Sequence, residues 1–245
     1  MKKNKTVDYS IIIPAYNEEA WLPQTLLALR EAMFKQTLSG EVIVVDNNST
    51  DQTAQIARAN GTRVVFEPVN QISRARNTGA KAARGRYFVF LDADTIISPA
   101  LLQSALDNLS GGRCCGGGTL VGFERPLRFF ERKGLDLWNW VSLNFDLAAG
   151  SFIYCLQEGF AAVGGFSQKV YASEEIWFSQ RLRSWGNRRS KAFKMLADFR
   201  VVTSSRKLEW FSPLQLVLTV MVATLFPFSL RFRKSCTLWY YRPKR

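Results

Sequence analysis

Short apolar runs that stop at a proline, an acid or a change to helical spacing recur through the first half of the chain, and no other feature restricts its fold as much. Tyr9-Ser10-Ile11-Ile12-Ile13 meets Pro14, Val42-Ile43-Val44-Val45 meets Asp46, Arg63-Val64-Val65-Phe66 follows, and Tyr87-Phe88-Val89-Phe90-Leu91 meets Asp92-Ala93-Asp94. The first and the last of these runs read as buried strands, and the other two as strands. Helical segments lie between them. Leu22, Leu26, Leu29 and Met33 recur at helical spacing, with Pro23 in the first turn and Gly40 closing the segment. Ser49-Thr50-Asp51-Gln52 has capping-box spacing ahead of a helix carrying Ile56. A third helix starts near Ile72-Ser73 and runs through Ala75, Ala80, Ala82 and Ala83, small residues that let it pack closely on a sheet. Strand and helix in alternation, with polar residues at the strand ends, predict a mostly parallel sheet with a ligand crevice at its carboxyl edge. That geometry brings Asp46 and Asp92 together.

Two carboxylates one residue apart at the mouth of an apolar strand need compensation, because an unpaired buried charge is costly. Oxygen ligands alone suit a hard divalent ion, Mn²⁺ or Mg²⁺, which in turn holds the phosphates of a nucleotide. Asp also favours turns and helix caps, so the residues by themselves leave a purely structural role open for Asp92 and Asp94.

Composition removes several chemistries. The 245 residues, 47% hydrophobic and 13% aromatic, suffice for one substantial core. There is no histidine, which excludes His-containing zinc sites and any Ser-His or Cys-His nucleophile, and leaves carboxylates as the first choice of general base. Cys114, Cys115, Cys155 and Cys236 form no CxxC pattern and are expected as reduced thiols in a cytoplasmic protein. The basic start, Met1-Lys2-Lys3-Asn4-Lys5, leads into an apolar run too short for a signal-peptide core. Lys and Arg number 33 against 20 acids, a formal charge of +13 that suits an anionic partner.

The second half is less regular. Gly116-Gly117-Gly118 beside the vicinal cysteines reads as a turn entering a strand, since no GK[ST] follows to make a phosphate loop. An aromatic-rich helical stretch runs from Leu127 to Phe145, and Ser173-Glu174-Glu175 opens an amphipathic helix. From Trp210 to Leu230 no residue is charged, and Leu214, Leu216, Val217, Leu218, Met221, Val222, Leu225 and Phe226 make the segment apolar. Its length approaches a bilayer span. Pro213 and Pro227 shorten it, and the basic cluster of Arg231, Arg233, Lys234, Arg242, Lys244 and Arg245 behind it opposes insertion from the cytosol. The expectation is a helix lying in an anionic membrane interface, with Trp239, Tyr240 and Tyr241 at headgroup level; packing against the catalytic body is the competing reading.

Six segments in one order resemble the family 2 glycosyltransferases: Ile12-Ile13-Pro14-Ala15-Tyr16-Asn17-Glu18, Val45-Asp46-Asn47-Asn48-Ser49-Thr50-Asp51, Ala75-Arg76-Asn77-Thr78-Gly79, Leu91-Asp92-Ala93-Asp94, Val163-Gly164-Gly165-Phe166, and Glu174-Glu175 with Arg181-Leu182-Arg183. The resemblance covers roughly residues 9 to 205 and implies the GT-A fold. It implies a nucleotide-sugar pocket lined by Pro14, Ala15, Tyr16 and Glu18. Asp46 and Asn47 would stand at the base-reading position, where the family carries two acids. Arg76 would contact the nucleotide or brace the loop around it. Asp92, Ala93 and Asp94 would form the DxD segment, with Asp94 ligating Mn²⁺ or Mg²⁺ and Asp92 binding ribose or metal-bound water. Glu175, where the family usually has Asp, would be the general base of an inverting transfer, with Glu174 in reserve.

The expected organisation is a GT-A catalytic domain over residues 1–206 and an apolar, basic helical tail over 207–245. The expected function is metal-dependent, inverting transfer of a sugar from a nucleotide diphosphate to a hydroxyl or phosphate acceptor, lipid-linked if the tail meets the cytosolic face of a membrane. Sugar nucleotidyltransfer shares the layout but ordinarily has a glycine-rich basic loop after the first strand. A nucleic-acid-binding module fits the charge, but the basic residues are not interleaved with aromatics on one face, so nucleic acid is not expected as a partner.

Overall fold

The four apolar runs are the strands that set the frame, and each ends at the same edge. In the computed structural model, which describes residues 6–241, they are β1 (Tyr9–Ala15), β2 (Gly40–Asp46), β3 (Arg63–Phe66) and β4 (Tyr87–Leu91), separated by α1 (Leu22–Phe34), α2 (Thr53–Ala59) and α3 (Ile72–Ala82). Lys2, Lys3, Lys5, Arg242, Lys244 and Arg245, part of the expected basic character, lie outside the described residues. The chain continues through β5 (Thr95–Ile96), α4 (Pro99–Ser110), β6 (Cys114–Phe123), α5 (Phe129–Phe145), β7 (Phe152–Leu156), α6 (Gln157–Ala162), α7 (Glu174–Asn187) and β8 (Ala192–Thr203). The tail holds α8 (Arg206–Trp210), α9 (Pro213–Leu225) and α10 (Thr237–Tyr240).

Among the described residues these strands form one sheet in the order β3-β2-β1-β4-β7-β6-β8-β5. β3, β2, β1 and β4 run parallel, β6 and β8 run parallel, and β7 is antiparallel to both of its neighbours. Ile11, Ile12, Ile13, Val44, Val45, Val89 and Phe90 are wholly buried. Burial of each such side chain contributes about 1.5–3 kcal/mol. The small face of α3 settles onto β1 and β2 as its composition predicts: a β-carbon on Gly79 would stand 2.4 Å from the Ile12 side chain.

Three local expectations are corrected. Pro14 lies inside β1, not past its end, paired with Val45. The β4 side of β1 is paired only as far as Ile12, so a residue without an N–H is tolerated there. Ser49 and Asp51 do not make a capping box for α2. The Ser49 hydroxyl accepts from the Asn17 N–H at 3.1 Å, Asp51 accepts from the Glu19 N–H at 3.1 Å, and the Asp51 carboxylate also receives the Thr53 N–H at 2.9 Å. These two side chains therefore sew the loop after β1 to the loop after β2. Gly116, Gly117 and Gly118 lie within β6, not in a turn, and a β-carbon on Gly117 would come within 1.7 Å of the Lys194 carbonyl oxygen on β8. Glycine permits that approach.

The tail folds back across the carboxyl edge. The Tyr240 hydroxyl accepts from the Ile72 N–H at 3.2 Å, its ring meets Tyr171 edge to face, and Leu230 and Cys236 are buried against Val170 and Ala172. Trp239 and Tyr240 thus face the body of the molecule, while Tyr241 is exposed. α9 keeps Leu214, Val217, Leu218, Met221, Val222 and Leu225 exposed. Among the described residues no helix is long and apolar enough to cross a membrane.

Candidate active site

The ends of β1, β2 and β4 lie level, with Ala15 paired to Asp46 and Ile12 to Phe90, so the residues just beyond them converge. They surround a cleft of about 70 Å³. Of the expected donor-binding residues, Pro14, Ala15, Tyr16, Glu18, Asn47, Asp92, Ala93 and Asp94 line it, joined by Ile72, Arg206, Lys207 and Trp239. Asp46 is buried immediately behind Asn47, where one carboxylate oxygen accepts from the Ser49 N–H at 3.0 Å.

The bonds of Asn47 show what an amide does at the position where the family carries its second acid. Its Nδ2 donates to the Glu67 and Val69 carbonyl oxygens at 3.0 and 2.7 Å, and its Oδ1 accepts from the Gln71 N–H at 3.0 Å. The side chain holds the loop from β3 to α3, and a carboxylate could make only the last of these bonds.

Arg76 is buried in α3 and joins the two acidic centres. Its Nη1 donates to Glu174 at 2.9 Å, and its Nη2 donates to Asp92 at 3.0 Å and to the Gly150 carbonyl oxygen at 2.8 Å. Those bonds make it the brace of the site and link the strand-end acid to the start of α7. The preceding residue, Ser173, is left-handed at φ 61°, which turns the chain abruptly into a helix opened by two acids. Strain of this kind in a non-glycine residue is held by the surrounding structure.

One guanidinium cannot balance the carboxylates around it. Burial, with the neighbouring Glu175 charge, pushes the Glu174 carboxyl up to about 8 against the pull of Arg76. Burial raises Glu175 and Asp92 as well. None of Arg76's hydrogen bonds goes to Glu175, which is half-buried, whereas Glu174 is 2% exposed.

A second buried ion group, absent from the sequence expectations, completes the cleft. Arg206, the first residue of α8, donates from both terminal nitrogens to Glu18 at 2.6 Å each and from Nη2 approaches Asp94 at 3.1 Å. The Trp210 and Trp21 rings flank it at 5.5 and 5.9 Å. Nothing in the local sequence signals this role. Pairing of β5 with β8, Thr95 to Thr203, and the Ser204 N–H bonded to the Asp94 carbonyl oxygen at 3.2 Å bring residue 206 beside residue 94.

As a metal site the cleft offers hard oxygen donors but few of them. Among the described residues no three His, Cys, Asp or Glu side chains converge to hold an ion. Asp94 and Asp92 fit a divalent ion that takes the remainder of its ligands from a bound diphosphate and water.

Comparison with known proteins decides the family. The family model for glycosyl transferase family 2 matches residues 10–176. The chain belongs to glycosyltransferase family 2. This family 2 chain is 38% identical over 100 residues to the uncharacterized glycosyltransferase EpsJ of Bacillus subtilis, a match over 38% of the chain and 28% of that relative. It is 34% identical over 104 residues to the poly(ribitol-phosphate) beta-N-acetylglucosaminyltransferase TarS of Staphylococcus aureus, over 40% of the chain and 18% of TarS. The aligned part is thus well under half of either relative. Among solved structures, the mannosyltransferase PcManGT of Pyrobaculum calidifontis, in complex with GDP-Man and Mn²⁺, superposes with TM-score 0.69 at 19% identity over 93% of the chain and 64% of PcManGT. TarS superposes with TM-score 0.62 at 18% identity over 89% of the chain and 40% of TarS. The fold is GT-A, as the resemblance implied.

Proposed function

We propose that this family 2 chain transfers a sugar from a nucleotide-diphosphate donor to a hydroxyl or phosphate acceptor with inversion, using a divalent metal ion. The observation that carries the reading is Arg76 joining Asp92, on the wall of the donor cleft, to Glu174 at the start of α7. One acid of the donor cleft and the acid beside the proposed base are held by the same buried guanidinium.

The nucleotide lies along the ends of β1 and β2, with Tyr16 against the base and Asp46 and the loop held by Asn47 at its polar edge. Glu18 supports that wall through Arg206. Asp94 ligates the metal and Asp92 the ribose or metal-bound water, each kept in place by an arginine. Mn²⁺ or Mg²⁺, when bound, neutralises the departing diphosphate as a Lewis acid. Mn²⁺ beside a nucleotide sugar in PcManGT supports that part of the reading without choosing between the two ions. Glu175 takes the acceptor proton as positive charge develops on the sugar. Its raised pKa suits a base, since burial makes the carboxylate more avid for a proton, and Glu174 is occupied as the anchor of Arg76.

The acceptor is proposed to be lipid-linked and to be met at an anionic membrane surface on the cytosolic side. The exposed apolar side chains of α9, the exposed Phe129, Phe130 and Trp140 of α5, and the exposed Arg231, Arg233 and Lys234 support that placement. The division into a catalytic body ending at residue 206 and an accessory tail is part of the same proposal.

Thermal denaturation with UDP, GDP and their sugars, each with and without Mn²⁺ or Mg²⁺, tests the donor assignment, because a ligand selective for the folded state raises the midpoint. One nucleotide class is expected to raise it, more so with metal, and Asp94→Asn is expected to abolish the metal-dependent part. No rise with any nucleotide overturns the assignment.

A further inference from the structure

We propose that Arg206 is the resident counter-cation of the donor site: it holds Asp94 until a diphosphate arrives, then gives that carboxylate up and turns to the phosphate oxygens. Metal ion and diphosphate are thereby bound as a pair. This rests on the donor-site reading above and deepens it.

Arg206 has two kinds of contact with different geometry. Its fork with Glu18 is bidentate, at 2.6 Å on both arms, whereas its approach to Asp94 is a single contact at 3.1 Å from Nη2. A planar guanidinium that keeps the first can leave the second with a small movement. Its third donor, Nε, is buried with no hydrogen-bond partner, although the side chain forms part of the cleft wall. A buried orphan N–H asks for an acceptor, and an anion entering this cleft supplies one. Lys207 lines the cleft beside it, so the start of α8 contributes two adjacent cations to a wall otherwise furnished with Glu18, Asp92 and Asp94.

The same contact works against a metal ion that arrives alone. Asp94 Oδ2 is already shared with a buried cation, and a second cation placed on that carboxylate is repelled by the first. The chain has no histidine to supply a neutral ligand in compensation. A diphosphate removes the obstacle by giving the guanidinium other acceptors, so each ligand raises the affinity for the other, as linkage requires.

The test uses the full chain, with free Mn²⁺ followed by electron paramagnetic resonance and inorganic diphosphate binding followed by calorimetry without metal. Relative to wild type, Arg206→Gln is expected to bind Mn²⁺ alone about tenfold more tightly and metal-free diphosphate about tenfold more weakly, within the usual range of coupling between sites. Unchanged Mn²⁺ affinity, or unchanged diphosphate affinity, overturns the proposal. Removing the guanidinium takes a buried ion pair from both Glu18 and Asp94, so Arg206→Lys carries the same comparison if the glutamine variant does not fold. Lysine keeps a charge but cannot fork onto Glu18 and reach Asp94 together, so the same two shifts are expected in smaller measure, and their absence overturns the proposal equally. If the wild type binds neither UDP nor GDP with Mn²⁺, the donor reading fails, while the metal-alone comparison still decides whether Arg206 guards Asp94.

Discussion

Asp92, Glu174 and Glu175 share the field of one buried guanidinium, and that imbalance is the chemistry of the site at the scale of single residues. Two consequences can be measured. In Glu175→Gln the acceptor proton has no base, so kcat is expected to fall by about 10²–10⁴-fold, while donor binding measured by calorimetry is unchanged. Turnover near the wild-type rate places the base elsewhere. Glu174 gives a stability signature instead. Its folded-state pKa of about 8 lies above the ordinary 4.5, so between those values the folded protein holds a proton that the unfolded chain releases. Stability from this group is therefore full below the ordinary value and is lost as pH rises toward 8. Glu175 and Asp92, raised in the same direction, add to the slope. Glu174→Gln is expected to flatten the fall of the melting midpoint across that range, and a slope equal to wild type contradicts the assignment.

Secondary-structure elements show which parts of the site the sequence could disclose. β1, β2, β3 and β4 were legible because each carries a brief apolar run that meets a proline, an acid or a turn to helical spacing, a pattern visible in local sequence. The site residues immediately beyond them were legible for the same reason. β7 was missed, since Phe152–Leu156 passes straight into α6 at Gln157 with no turn residue to mark its end. β8 was missed because Lys194, Asp198 and Arg200 interrupt its apolar pattern and its register with β6 breaks near Leu120. Arg206 could not be read at all: it lies 188 residues from Glu18, and only the pairing of β5 with β8 brings it to the cleft. Asn47 was legible as a position but not in its role, which belongs to the loop between β3 and α3. Asn47→Asp tests that role. A carboxylate facing the Glu67 and Val69 carbonyl oxygens leaves both without their donor. The expected cost is about 2 kcal/mol, a melting midpoint lower by roughly 4–8 °C for a domain of this size. A midpoint unchanged in Asn47→Asp would mean that the loop is held by other contacts.

For the whole molecule, the tail does two things with opposite faces. Lys207 at its start, next to Arg206, and Trp239 with Tyr240 further on close on the donor cleft, and Leu230 and Cys236 cover Val170 and Ala172. Between them α9 turns Leu214, Val217, Leu218 and Met221 outward, where water gives them nothing. Exposed apolar side chains on a helix tied down at both flanks, beside exposed Arg231, Arg233 and Lys234, match an interface that is greasy in its depth and anionic at its surface. The outward residues support no core, so replacing them should leave the fold intact and change only what the helix touches. Full-length protein is therefore expected to float with vesicles rich in anionic phospholipid and less with neutral ones, to be released by salt in part, and to remain in the soluble fraction when Val217→Asp and Met221→Asp are combined. Donor-induced thermal shifts should be the same in the double variant, because neither residue lines the cleft. Wild-type protein that stays in solution beside anionic vesicles at low salt removes the membrane from the proposal and leaves α9 to cover a protein surface instead.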